Sequence, residues 1–272
     1  MMKKISRITT QKKRKDRYNI YLTNGEKEEY AFSVDEAVLV EFRLRKGMEL
    51  NDSTIEALVE KDTIQKSYSM AINYLSYRMR TKKEMRDYLV KKEVELEHIG
   101  IILERLTKEK LINDKQFAEM FVRTRMNTSS KGPLLIKKEL MEKGVSSGIA
   151  SEAIELYPYE AQFEKISKFL EKKLSTSKKE SFKQQLQKLQ GNLLQKGFSQ
   201  TVITDALSEM DGEKDSEAEW DAMVYQGDKL VRKHSRKHEG FALQQKVKEG
   251  LYRKGFTIEL INRYLDKLTE NE

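Results

Sequence analysis

Two tracts of arginine and lysine are the residues in this chain best suited to act on something else. The first holds Arg78, Arg80, Lys82, Lys83 and Arg86, and continues to Lys91 and Lys92 with only Glu84 and Asp87 as counter-charges between them. The second holds Arg123, Arg125, Lys131, Lys137 and Lys138. Guanidinium forks grip phosphates or carboxylates in two places and ammonium groups act as point charges, so the chemistry on offer is capture of a polyanion or an acidic protein face. Lys168, Lys172, Lys173, Lys178 and Lys179, and then Lys229, Arg232, Lys233, Arg236 and Lys237, make similar tracts further on.

Bond-making chemistry is harder to assemble. The chain has no cysteine and three histidines. His234 and His238 have the i,i+4 spacing of a two-histidine metal pair, but no glutamate follows His234 directly and the third histidine, His98, is remote in sequence. Lys131-Gly132-Pro133 lacks the spacing of a phosphate-binding loop, and its proline removes an amide donor. The residues therefore point to no catalytic group, no cofactor and no metal.

The basic tracts fall at corners between helices. Thr81 with Glu84, and Asn113 with Gln116, have capping-box spacing. Pro133 suits a first helical position. Phe117, Ala118, Phe121 and Val122 share one side of a helix, and Leu135, Ile136 and Leu140 one side of the next. The pattern then repeats. Met85, Leu89, Val94, Ile102 and Leu103 recur as Ile136, Leu140, Val145, Ala153 and Ile154, then as Leu189, Leu193, Phe198, Ala206 and Leu207, and again as Val247, Leu251, Phe256, Tyr264 and Leu265. Three of the four units share a turn, in Lys143-Gly144-Val145-Ser146, Lys196-Gly197-Phe198-Ser199 and Lys254-Gly255-Phe256-Thr257. Glycine ends a helix left-handed, the apolar residue packs back, and Ser or Thr caps the next helix. The first unit has Lys92-Glu93-Val94-Glu95 instead, so its turn should be strained or differently shaped. Opening helices are expected near 67–79, 114–126, 159–174 and 217–236, with the acidic stretch 211–219 as a linker.

Residues 1–50 have another texture. Tyr18, Ile20 and Leu22 alternate with Asn19, Tyr21 and Thr23, Asn24-Gly25 signals a hairpin, and Tyr30, Ala31 and Phe32 form the return strand. Residues 5–10 supply a third strand. Ser33 with Glu36 reads as a capping box opening a short helix through Phe42, which Lys46-Gly47 ends. Asn51-Asp52-Ser53 starts another helix. The basic run 12–17 reads as a mobile or strand-edge segment.

Hydrophobic residues make up 38% and charged residues 35%, which suits many half-exposed helices better than one thick core. The net charge is +8, from 52 basic and 44 acidic residues, a modest bias toward an anionic partner. No signal peptide and no apolar stretch of membrane-spanning length is visible, and the cysteine-free chain reads as cytoplasmic.

Leu111-Ile112-Asn113-Asp114, Phe117-Ala118, Val122, Arg125, Gly132, Ile136, Glu139-Leu140 and Lys143-Gly144 fall in a pattern that resembles the RecX family. Tyr74-Leu75, Arg78, Arg80-Thr81, Glu84 and Leu89 fit the same pattern, and the likeness is close over residues 68–156. The resemblance implies a regulator that binds the filament of the recombinase RecA. It would mainly inhibit ATPase, strand-exchange and coprotease activities by lodging in the filament groove.

The fold expected is mostly α: elongated tandem three-helix repeats behind a small β-containing N-terminal region. The expected divisions are 1–50, 51–112, 113–157, 158–211 and 212–272. The partners that the resemblance and the basic tracts lead one to expect are the RecA filament and single- or double-stranded DNA, with no membrane, and a monomer is expected. A stand-alone nucleic-acid binder using its units as helix-turn-helix readers is the competing reading.

Overall fold

The computed structural model describes residues 2–174, 179–210 and 216–270. Lys178 and residues 211–215 of the expected linker lie outside them. The described residues form two compact units. The first runs to Phe117 and includes the turn Lys143–Val145, and the second takes in the remainder.

The chain begins with strands β1 (Lys3–Thr10), β2 (Arg17–Thr23) and β3 (Glu28–Asp35), helix α1 (Glu36–Glu41) and the two-residue strand β4 (Glu49–Leu50). The sheet is antiparallel in the order β3-β2-β1-β4. The hairpin at Asn24-Gly25 is present, with Gly25 at φ +107°. The alternation buries Ile5, Ile20, Leu22, Phe32 and Val34 on one face, together with Val38, Leu44, Leu50 and Leu58. Ser33 does not cap α1: β3 continues through it, and Asp35 takes the cap, its carboxylate accepting from the Ala37 N–H at 3.1 Å.

Helix α2 (Asp52–Leu75) is a single 24-residue rod. The sequence reading divides this span between a helix beginning at Asn51 and an opening helix from residue 67. The start is right, since the Asn51 side chain accepts from the Thr54 N–H at 2.7 Å, but neither glycine nor proline interrupts the span, and the helix continues. Arg17 corrects a second expectation. It is buried, 4% exposed, and its guanidinium forks onto Asp62 of α2 at 3.1 and 2.8 Å. Asp62, 2% exposed, also accepts from the Asp35 N–H and from Lys66. Burial acts to raise the Asp62 carboxyl, but Arg17, Lys66 and the Asp35 amide outweigh it and hold it below its ordinary value.

Helices α3 (Lys82–Lys91), α4 (Leu96–Lys108), α5 (Asp114–Thr128), α6 (Pro133–Glu142), α7 (Ser147–Ile154), α8 (Tyr159–Leu174), α9 (Phe182–Gln195), α10 (Gln200–Met210), α11 (Ser216–His234), α12 (Gly240–Arg253) and α13 (Ile258–Glu270) follow. Tyr68 and Ala71 of α2 share a core with Met85, Leu89, Ile99, Ile102, Leu103 and Leu106. Met223, Val247, Leu251, Phe256, Ile261 and Tyr264 make another in the last triplet.

One joint recurs three times. The Thr81 hydroxyl accepts from the Glu84 N–H at 3.0 Å, capping α3, and donates to the Lys143 carbonyl at 2.6 Å. Ser181 caps α9 through Gln184 and donates to the Lys254 carbonyl. Between these two, Gly132 and Leu134 use main-chain amides, which donate to Lys196 and Gly197 carbonyls at 2.7 and 3.0 Å on either side of Pro133. The acceptor is each time a Lys-Gly turn whose glycine is left-handed, at φ +88°, +85° and +84° for Gly144, Gly197 and Gly255. A Cβ would collide with Lys83 at Gly144 and with Leu135 at Gly197.

The first triplet's turn has the same left-handed geometry, with Glu93 at φ +59°. Of the two alternatives the sequence leaves, strained or differently shaped, the turn takes the first: it is the same turn carried by a residue that disfavours the left-handed region. Two outcomes follow for urea denaturation. Gly197→Ala is expected to lose about 2–4 kcal/mol through left-handed strain and steric overlap. Glu93→Gly should gain less than about 1 kcal/mol, because relief of strain is offset by a freer unfolded chain. Asp62→Asn, which strands a buried guanidinium, should cost about 3–5 kcal/mol.

Candidate partner interface

At the corner between α2 and α3 the side chains are more committed than a solvated basic patch would be. Tyr74 and Tyr88 stack with ring centroids 3.9 Å apart and planes 5° from parallel. The Arg80 guanidinium lies 3.9 Å from the Tyr74 centroid, and the Lys92 ammonium 5.9 Å from that of Tyr88. Arg78 forks onto the Glu84 carboxylate at 3.0 and 3.1 Å, and Lys143 reaches the same carboxylate at 3.1 Å. Burial works to raise the Glu84 carboxyl, yet these two cations hold it below the ordinary carboxylate value.

The corner between α5 and α6 has the same plan in other residues. The offset that carries Met85 and Leu89 to Ile136 and Leu140 carries Tyr74, Arg80 and Tyr88 to Arg125, Lys131 and Glu139. In the second set, Arg125 pairs with Glu139 at 3.0 Å, Lys131 pairs with the same carboxylate, and Arg125 also lies 4.9 Å from the Phe121 ring centroid. Three matching positions therefore tie the first helix, the turn and the middle helix together. A cation–aromatic stack does this once, and a shared carboxylate the second time.

The ten expected contact residues thus separate into two groups. Arg78, Arg80, Arg125 and Lys131 hold corners together, and the Lys83 stem packs over Gly144. Lys82, Arg86, Arg123 and Lys138 are exposed, and Lys137 is half-buried. Lys82 and Arg86 line a shallow groove with Gly100, Leu103, Glu104, Thr107 and Lys108. Lys108 is absent from the sequence-derived set because it lies on α4 and only the fold brings it beside Arg86. Beside the first corner Tyr77 is 84% exposed. Further along the chain, Lys179 lies 5.2 Å from the Tyr225 ring centroid, and Trp220 is covered by Arg263 and Lys267 at 4.5 and 4.8 Å. The His234 and His238 ring centroids are 6.3 Å apart, and among the described residues no group of three or more histidines or carboxylates is arranged around a metal position.

The plan of triplets can be compared with known proteins. Sequence models of the RecX N-terminal domain match residues 3–51, of the first three-helix domain 68–106, and of the second 113–154. The third-domain model matches twice, at 160–207 and 217–265. The chain belongs to the RecX family. Regulatory protein RecX of Oceanobacillus iheyensis is 52% identical over 272 residues, the whole of both chains. That of Halalkalibacterium halodurans is 43% identical over 262 residues, covering 96% of this chain and 98% of its own. A crystal structure of regulatory protein RecX superposes with a TM-score of 0.67 at 39% identity, covering 75% of this chain and 99% of that one. RecX from Lactobacillus salivarius gives 0.54 at 41%, covering 56% and 98%. The duplicated third-domain match agrees with the family's three-helix plan being used once more here.

The shared carboxylates give a pH-dependent outcome. The lowered Glu84 pKa contributes stability that is fully present above the unfolded value of about 4.3 and lost as pH falls through the folded value. Glu84→Gln should lower stability by about 1–2 kcal/mol at pH 7, with the difference shrinking below pH 4. Urea midpoints at pH 7 and pH 3 check this, and an equal difference at both would show that the carboxylate charge is not the source.

Proposed function

We propose that this protein binds the filament of the bacterial recombinase RecA and modulates it, mainly by inhibiting its ATPase, strand-exchange and coprotease activities. The observation that carries this reading is full-length similarity to regulatory proteins of the RecX family, with every family domain represented in order. The protein acts as a cytoplasmic monomer, without bond-making chemistry, by occupying the filament groove across neighbouring protomers.

The contact is assigned in this reading to the cations that are not already engaged within the protein. Arg78, Arg80, Arg125 and Lys131 already serve internal partners, so reversing them damages the corners as well as any interface. Lys82, Arg86 and Lys108 on one groove, and Arg123 and Lys138 in the following triplet, are exposed and show no ion pair among the described residues. These are the cations available to an acidic protein surface or to DNA phosphates.

Lys82→Glu/Arg86→Glu and Arg123→Glu/Lys138→Glu are expected to fold normally by circular dichroism. Each should raise at least tenfold the concentration needed to inhibit RecA ATPase on single-stranded DNA. Unchanged inhibition in both would remove the basic surface from the mechanism. Tight DNA binding without RecA, weakening linearly in log–log fashion with salt and accompanied by no effect on the ATPase, would favour the stand-alone nucleic-acid reading.

A further inference from the structure

The N-terminal sheet has an edge that its own chain leaves open. β4 pairs only with Lys3 and Lys4 of β1, and the last contacts on that side are the Ile5 N–H to the Met48 carbonyl and the Gly47 N–H to the Ile5 carbonyl, each at 2.8 Å. From Arg7 to Thr10, β1 is bonded to β2 on one side and, among the described residues, has no strand on the other. The register shift between Ile5 and Arg7 marks where the edge leaves β4's protection. Beside it runs a shallow groove lined by Ser6, Arg7, Ile8, Glu28 and Lys46.

The charges around this edge are mostly positive. At its far end the β1–β2 loop carries Lys12, Lys13, Arg14 and Lys15, all exposed, and among the described residues only Arg14 has an ion pair, with Asp16 at 3.1 Å. At its near end stand Arg45 and Lys46, exposed and without an ion pair among the described residues. The carboxylate in the groove, Glu28, is taken by Arg7 at 2.7 Å. Edge lysines repel a second copy of the same edge and so suppress self-pairing. They also attract an anionic strand, so one feature excludes the wrong partner and selects the right one.

We propose that the open edge of β1, over residues 7–10, is a docking site for an extended acidic segment of a partner protein, which adds as a fifth strand. Main-chain hydrogen bonds supply the register, the half-buried Ile8 meets an apolar residue of alternate spacing, and Lys12, Lys13, Lys15 and Lys46 hold the carboxylates. The site belongs to the sheet and is independent of the basic corners of the helical triplets. It therefore stands or falls separately from the RecA reading.

The test uses the full chain and a fluorescein-labelled six-residue peptide of alternating glutamate and valine. Anisotropy should show saturable binding that weakens at least tenfold in Lys12→Glu/Lys13→Glu/Lys15→Glu, and also in Lys46→Glu, both variants keeping the parent circular dichroism spectrum. Amide exchange should show new protection at Ile8 and Thr10, whose N–H groups face away from β2, when the peptide is added. A lysine–valine peptide of the same length should not bind. Binding without protection at Ile8 and Thr10 would reduce the contact to loose ionic attraction and overturn strand addition. Protection of the same amides by a thymidine 20-mer, with no binding of the acidic peptide, would assign the edge to nucleic acid and overturn the proposal.

Discussion

The recurring contact between a helix start and a Lys-Gly turn is the constraint on which the helical part of this protein depends. Helix termini leave amides unpaired at one end and carbonyls at the other, and burying either without a partner is costly. Thr81 and Ser181 meet both needs with one buried hydroxyl, whose oxygen accepts from a helix amide while its proton goes to a turn carbonyl. At Gly132 the same task falls to main-chain amides, and the following Pro133 has no N–H left to satisfy. The close approach accounts for glycine in the turns. At Gly144 and Gly197 backbone and side-chain stems come so near that a Cβ has no room, a stronger demand than left-handed geometry alone, and at Gly255 the fit is tight. Glu93 makes the distinction visible: its turn is left-handed too, but Gly144, Gly197 and Gly255 are the ones against which a neighbouring helix start is seated.

A similar economy governs charge. A chain with this many cations invites the view that each faces a partner molecule. Much of the positive charge at the corners is internal instead, divided between Glu84, Glu139 and the Tyr74–Tyr88 stack. What remains exposed is a smaller set, and the proposed activity rests on that set. The two corners also show that a position can keep its structural duty while changing its chemistry, since Tyr88 stacks on the Tyr74 ring that carries Arg80, whereas Glu139 takes Arg125 and Lys131 by its carboxylate.

Where sequence reading succeeded, it did so because the physics was local. Gly144 and Gly197 announce left-handed turns, Thr81 and Asn113 announce caps, and Asn24-Gly25 announces a hairpin. The alternation from Tyr18 to Thr23 likewise marked a strand with one buried face. It failed where the deciding contact joins distant residues. Nothing near Arg17 says that Asp62, far along the chain, will bury it, and so a pinned residue reads as part of a mobile run. The continuity of α2 is not legible from the repeat, whose spacing asks for an opening helix near residue 67 although the helix begun at Asn51 runs straight through that point. In the candidate interface, sequence spacing gives Glu84 a capping role but does not say that Arg78 and Lys143 share its carboxylate, or that Arg125 and Lys131 share that of Glu139.

Helix α2 carries a mechanical consequence. Its early residues, Leu58 among them, pack into the sheet's core, and its later ones, Tyr68 and Ala71, into the first triplet's. The Arg17–Asp62 clamp grips it between the two. A helix of 24 residues spans about 36 Å, and pivoting one core against the other would require breaking it. Sheet and triplet are therefore mounted on a common axle, and whatever turns one of them must turn the other by the same angle.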